Sequence, residues 1–291
     1  MHLSKKTPLA GLAMLLLAGC SPWLRTPIDD NVLPAPLLTP ETVVLEIAFV
    51  HLAANERDVE EALWQQIDEQ TVPVEIRREL SSNGLRVGLA GTQLPQELRS
   101  LVQRTAKSLE TAHAAEDLAT AESAGLARQR RLQMRAGRRG KVVVTTTRTL
   151  LSVLARDAEG RVQGKSYRDA QCLFGLKGFP QGDGRTQIQL TPEIEHGELK
   201  NNWVPIDGAL VQQVGKQREV YENLIVELNL SPGQTMVLGA TQPACGIGQH
   251  FFTTDEPVQQ RTLLLVRVAQ TQLDDLFQAP AATSELSSLT E

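Results

Sequence analysis

Between Thr186 and Ala269 apolar residues recur at every second position, and this period constrains the fold more than any other feature of the chain. Ile188 and Leu190 alternate with Gln187, Gln189 and Thr191. Further on, Leu224, Val226, Leu228 and Leu230 share one face, while Ile225, Glu227 and Asn229 take the other. Successive side chains of a strand point to opposite sides, so these are half-buried strands. Ser231-Pro-Gly-Gln interrupts the run with turn residues, because Pro presets φ and Gly permits φ > 0. Thr235 to Leu238 then reads as the partner strand of a hairpin built on Gly233, Gln234, Thr235 and Gly239. Thr262 to Ala269 closes the module as an apolar strand.

The same reading extends upstream. Val142 to Thr147 is strand-prone, and Leu150 to Arg156 turns through Asp157-Ala-Glu-Gly into Arg161 to Tyr167. Gly175, Gly178, Pro180, Gly182 and Gly184 read as a turn-rich connection into Thr186. Residues 142–278 are therefore expected to form a mainly antiparallel β module, with 279–291 as a tail. Residues 42–103 read as a separate small domain of order β-α-β-β-α, so the fold class is α+β. Val43 to Val50 is its first strand, and Asn55 caps a helix through Glu69 that places Val59, Ala62, Leu63 and Ile67 on one face. Val72 to Arg77 and Leu85 to Leu89 are short strands around a Ser81-Ser-Asn-Gly turn, and Pro95 opens a helix to Gln103. Residues 104–141, rich in Ala and charge with few apolar anchors, read as a helical linker.

The N-terminus is a processing segment. Lys5 and Lys6 precede an apolar stretch, Leu9 to Ala18, that is too short to span a bilayer as a stable helix. It ends in Leu17-Ala18-Gly19-Cys20, which resembles the lipobox of bacterial lipoproteins. The resemblance implies removal of residues 1–19 and acylation of Cys20, because the chemistry needs small residues before the cut and a thiol nucleophile after it. Ser21 in place of Asp implies, by the sorting rule of enterobacterial lipoproteins, an outer-membrane anchor facing the periplasm. Acyl chains burying methylenes at about 0.8 kcal/mol each hold a protein there without a transmembrane helix. Pro22, Pro27, Pro34, Pro36 and Pro40 make 20–41 an extended tether, able to reach on the order of 60 Å.

Little in the chain points to catalysis. The histidines His51, His113, His196 and His250 lack ligand spacing, and no metal or cofactor is expected. In a strand through Glu193, Glu195 and His196 the two carboxylates take one face and the imidazole the other. Gly246-Ile-Gly248 lacks the third glycine of a dinucleotide fingerprint and reads as a turn. No phosphate loop or Ser-centred elbow is present. Cys245, with His250 five residues on, has a spacing that does not mark a catalytic pair. With Cys20 consumed, Cys172 and Cys245 are left for a disulfide expected in an oxidising compartment, worth about 4 kcal/mol in a chain-entropy account. The basic residues Arg128, Arg130, Arg131, Arg135, Arg138, Arg139 and Lys141 leave two readings open. They form either a solvated linker end or an anion-binding strip for phospholipid, lipopolysaccharide or a partner's acidic face. Nucleic acid is not an expected partner of an exported chain.

One further resemblance covers Val142 to Ala269. The order of a strand with Thr-Pro-Glu-Ile at 191–194, a long strand, Pro-Gly-Gln-Thr-Met-Val-Leu-Gly at 232–239 and an apolar closing strand is similar to the β module of bacterial secretins. Pro192, Gly233, Gln234, Thr235 and Gly239 are the matching positions, and the family would make them a strand bend and a hairpin. Thr241 to Gln260 departs from the segment that follows this hairpin in the family. The resemblance implies a non-enzymatic structural or assembly module, either a homo-oligomer or a component of a secretion or pilus-type complex. The alternative reading is a monomeric periplasmic lipoprotein that binds or scaffolds an envelope partner.

Overall fold

The structure is a computed structural model that describes residues 42–53, 55–113, 130–206, 209–254 and 260–271. Cys20, the tether, Arg128 and the tail 279–291 lie outside these residues. The described residues belong to one compact unit beginning at Pro40. Its class is α+β with antiparallel sheets, as the sequence patterns indicate.

Two sheets carry the core. The first has the order β2-β10-β12-β1-β3, formed by Leu85–Ala90, Thr235–Ala240, Gln260–Thr271, Thr42–Ala53 and Arg130–Arg135, with the short β11 (Thr253–Thr254) on β12. The second has the order β4-β6-β7-β8, formed by Gly140–Val143, Val162–Pro180, Thr186–Ile206 and Ala209–Val220. There β5 (Arg148–Arg156) pairs β6, and β9 (Val226–Leu230) pairs β7. Beyond Glu195, β7 and β8 run on as a two-stranded ribbon, with Ile206 opposite Ala209 and with Leu199 and Val214 exposed near its middle.

The first sheet is covered on both faces. Leu45 and Ile47 of β1, Leu238 of β10 and Leu264 and Val266 of β12 pack with Phe174, Leu190, Val226 and Leu228 of the second sheet in one core. Opposite them, Val50, Leu52, Val237, Leu263 and Leu265 pack against Leu63 and Trp64 of α1 (Arg57–Gln65) and against Leu98 and Leu101 of α3 (Gln96–His113). Burial from two sides explains why β12 holds the unbroken run Leu263-Leu-Leu-Val266. At one end Phe251 and Phe252 of α4 (Gly246–Phe252) meet Phe174 with ring centroids 5.1 and 6.0 Å apart.

Several local expectations change. Residues 42–103 and 142–278 are not separate bodies: β1 lies between β12 and β3, and β2 pairs β10. Val72 to Arg77 is not a strand, because α2 runs over Val74–Ser82, after Pro73, with Leu80 buried beneath it. The first helix begins at Arg57 rather than after Asn55 and stops at Gln65, and Val59 is exposed. The linker range 104–141 contains the rest of α3 as well as β3 and the start of β4. Gly175 and Gly178 stand inside β6, and the turn lies at Gln181 to Gly184, closed by Gly184 N–H to the Gln181 carbonyl at 3.2 Å. Gly246 and Gly248 belong to α4 rather than to a turn.

The largest correction concerns the hairpin. β9 and β10 do not pair with each other: β9 joins β7 in the second sheet, and β10 lies between β2 and β12 in the first. Ser231 to Gln234 is therefore a crossover between sheets. Gly233 takes φ +85°, as turn chemistry requires, and its N–H donates to the Val268 carbonyl at 2.9 Å. The alternation of Leu224, Val226, Leu228 and Leu230 survives because all four side chains face the shared core. Pro192 falls where β7 exchanges β9, paired up to Leu190, for β8, paired from Glu193. A residue without an N–H fits a point at which no neighbouring strand asks for one.

Candidate functional site

The basic stretch lies mostly in strands, and much of its charge is met by carboxylates. Arg130, Arg131 and Arg135 are on β3, and Lys141 is on β4. Arg131 pairs with Glu46 of β1 at 3.1 Å, and Lys141 pairs with Glu195 of β7. The Arg130 guanidinium is partly buried and has a nitrogen without a partner among the described residues; desolvation lowers its pKa. Arg138 follows β3 in a turn, its N–H donating to the Arg135 carbonyl at 3.1 Å. These positions form a sheet margin laced with ion pairs.

Arg139 belongs to a tighter cluster. Its guanidinium grips the carboxylate of Glu193, with Nε donating to Oε1 at 3.2 Å and a second donor on Oε2. Arg218 of β8 adds a donor to Oε2 at 3.3 Å. The Glu193 side chain is only 4% exposed, so a carboxylate is held out of water by two cations. Gly175 makes room for it: a Cβ there would stand 2.2 Å from Glu193 Oε1. An isolated glycine inside a strand is the sequence signal of such a close approach. Glu193 and Glu195 share a face, as strand geometry requires, while His196 packs against Tyr167 with ring centroids 4.8 Å apart and the planes tilted by 44°.

A second buried pair joins distant segments. Glu60 of α1 is 1% exposed and meets Arg261 of β12 at 2.8 Å and Gln242 at 2.8 Å. Arg261 also donates to the carbonyls of Ala240 and Thr241, each at 3.1 Å. Nothing in the local sequence marks this pair, which is separated by 201 positions.

The cysteines do not form the expected disulfide. Both are free thiols. Cys172 is buried in β6, its N–H donating to Thr145 Oγ1 at 3.0 Å, and burial pushes its thiol up to about 11. Cys245 is exposed where α4 begins, with Sγ 3.8 Å from Thr241 Oγ1. A carbonyl of Gly84 would lie 1.7 Å from any Cβ at Gly248, so α4 starts in close contact with the α2–β2 corner. His250 lies on α4 and takes part in an interaction of its own. Among the described residues no group of three His, Cys, Asp or Glu side chains is placed to hold a metal ion. No described helix is long and apolar enough to cross a membrane.

One groove is not marked by any spacing in the sequence. Its volume is about 620 Å³, and it is lined by residues of α2 and β2 together with Glu69, Thr241 and Gln242. Three arginines line it, Arg77, Arg78 and Arg86, with one carboxylate, Glu69. Arg86 is clamped to Glu69 by bonds of 2.6 and 2.9 Å and lies over the Trp64 ring, 4.4 Å from its centroid. Arg77 donates to the Glu69 carbonyl at 3.0 Å, and Arg78 is exposed on α2. No family model, curated protein or solved structure matches this chain.

Proposed function

We propose that this chain is an envelope lipoprotein, held in the outer membrane through an acylated Cys20 and facing the periplasm. Its α+β body serves as a non-enzymatic structural or assembly module of a secretion or pilus-type complex. The observation that carries this reading is Leu17-Ala18-Gly19-Cys20 placed directly after a Lys5-Lys6 apolar segment. The secretin-like order of motifs across Val142 to Ala269 supports an assembly role. The second reading, a monomeric lipoprotein that scaffolds an envelope partner, is favoured by the arginine-lined groove beside an edge strand.

Two measurements test it. Cys20→Ser should leave the chain unprocessed or release it from membranes, and the mature wild-type N-terminus should carry acyl mass. An N-terminus without acyl mass overturns the anchor. The mass of the detergent-solubilised protein then separates the readings, since a ring or other oligomer supports the assembly module and a monomer supports the scaffold.

A further inference from the structure

Charge in the groove beside α2 does not balance. Glu69 is its one carboxylate, and both of its oxygens are taken by Arg86, which is also held over the Trp64 ring. Arg77 spends one nitrogen on the Glu69 carbonyl, a neutral acceptor, and exposed Arg78 bonds to no described group. Glu75 and Glu79 are the carboxylates of α2 itself; neither lines the groove, and neither forms an ion pair with a described residue. Two guanidinium charges therefore face one cleft without a counter-charge, on a chain whose net charge is −5. A cleft lined by one sign of charge concentrates ions of the other. In the α2 helix Ser81 and Ser82 stand one turn beyond Arg77 and Arg78, and both line the same groove. The Ser82 hydroxyl is spent on the Glu79 carbonyl at 2.9 Å, whereas Ser81 is exposed and bonds to no described group, which leaves its O–H to donate.

We propose that this groove binds a phosphomonoester, with Arg77 and Arg78 holding the phosphoryl group and the Ser81 hydroxyl donating beside them. The group matches the donors. A phosphomonoester brings nearly two negative charges and three acceptor oxygens, whereas a carboxylate brings one charge and two oxygens. Guanidinium groups grip such oxygens through paired N–H donors. Arg86 stays with Glu69 as a fixed wall of the site. At about 620 Å³ the groove falls within the size range of small-molecule sites, so it has room for the body that carries the phosphate. Thr241 and Gln242 give that body a polar boundary. A free sugar phosphate and a lipid headgroup both present this chemistry. The inference goes beyond the envelope reading and holds wherever the protein resides.

The test titrates the full chain, held in a maltoside detergent, by calorimetry. The probes are glucose 6-phosphate and dihexanoyl phosphatidic acid below its micelle concentration, with glucose and dihexanoyl phosphatidylcholine as matched compounds lacking a phosphomonoester. The expected result is saturable binding of a phosphomonoester and none of its matched compound. Binding of glucose 6-phosphate assigns a soluble ligand, binding of phosphatidic acid alone assigns a headgroup, and binding of both assigns recognition to the phosphoryl group itself. Arg77→Gln with Arg78→Gln should weaken binding at least about tenfold, because hydrogen bonds from two charged donors are lost. Arg78→Gln alone should weaken it several-fold with the thermal midpoint unchanged, since Arg78 is exposed. Arg185→Gln, which removes a charge paired with Asp183 in a turn of the second sheet, should leave the affinity as it was. The proposal is overturned if neither phosphomonoester binds or if Arg78→Gln and the double variant bind as tightly as the wild type. It also fails if Arg185→Gln weakens binding as much as Arg78→Gln, since the attraction would then belong to the whole surface rather than to the groove.

Discussion

The two described sheets have six strands each and are opposite in origin. The second is assembled from consecutive sequence, β4 through β9 between Gly140 and Leu230, each strand pairing with one no more than two strands away. The first gathers strands from both ends of the body: β1 and β2 from before Ala90, β10 and β12 from after Thr235, and β3 between them. The second sheet keeps one face toward water, so its strands alternate and its outer face carries ion pairs such as Lys165 with Glu219 at 2.5 Å. The first is buried on both sides and tied across its faces by a buried long-range ion pair, Glu60 with Arg261. Contacts near in sequence thus build one sheet, and the other cannot close until the ends of the body meet.

The largest effect should come from the charge cluster of the second sheet. Glu193→Ala leaves Arg139 and Arg218 without their shared partner and should destabilise by about 1–3 kcal/mol, since both guanidinium groups are partly exposed and regain water. Gly175→Val should reach the same loss from the other side, since its side chain would occupy the carboxylate's place. Combining the two should add little, because both break one cluster. Fully additive losses in denaturant unfolding would show that Gly175 does not serve Glu193.

This contrast also explains what the sequence made legible. Alternation at Leu224, Val226, Leu228 and Leu230 named the buried face correctly, because one face of that strand meets water. It did not say that β9 and β10 part company at Gly233, since both sides of that turn are apolar and fit either sheet. Leu263 to Val266 offered no period at all. Val72 to Arg77 reads as a strand because Val72, Val74 and Ile76 alternate; α2, over Val74–Ser82, instead lays Leu80 on the core after the Pro73 start. Arg77, Arg78 and Arg86 were passed over because a groove made from α2 and a strand edge leaves no spacing in the sequence.

A smaller effect tests the first sheet. His51 of β1 lies with Nδ1 3.2 Å from Thr262 Oγ1 of β12, and desolvation holds its pKa below the ordinary 6.5. From pH 6.5 down to that lowered value the unfolded chain takes up a proton that the folded chain refuses, so stability falls as the pH drops through this window. His51→Gln should flatten that part of the pH–stability curve. An unchanged curve would mean that the imidazole is not desolvated where the two strands meet.

The central claim is that sheets so different in origin form one cooperative body, joined through the crossover at Gly233 and the core shared by Leu45, Phe174 and Leu228. Equilibrium unfolding of the full chain tests it with one probe in each part. Trp64 emission, in the Trp23→Phe, Trp203→Phe background, reports the helix-covered face of the first sheet. Pulsed alkylation of the buried Cys172 thiol reports the second. One body requires the two transitions to coincide in midpoint and slope, with Cys172 closed to reagent until Trp64 is exposed. Two separated transitions would contradict it and would return 42–103 and 142–278 to independent domains.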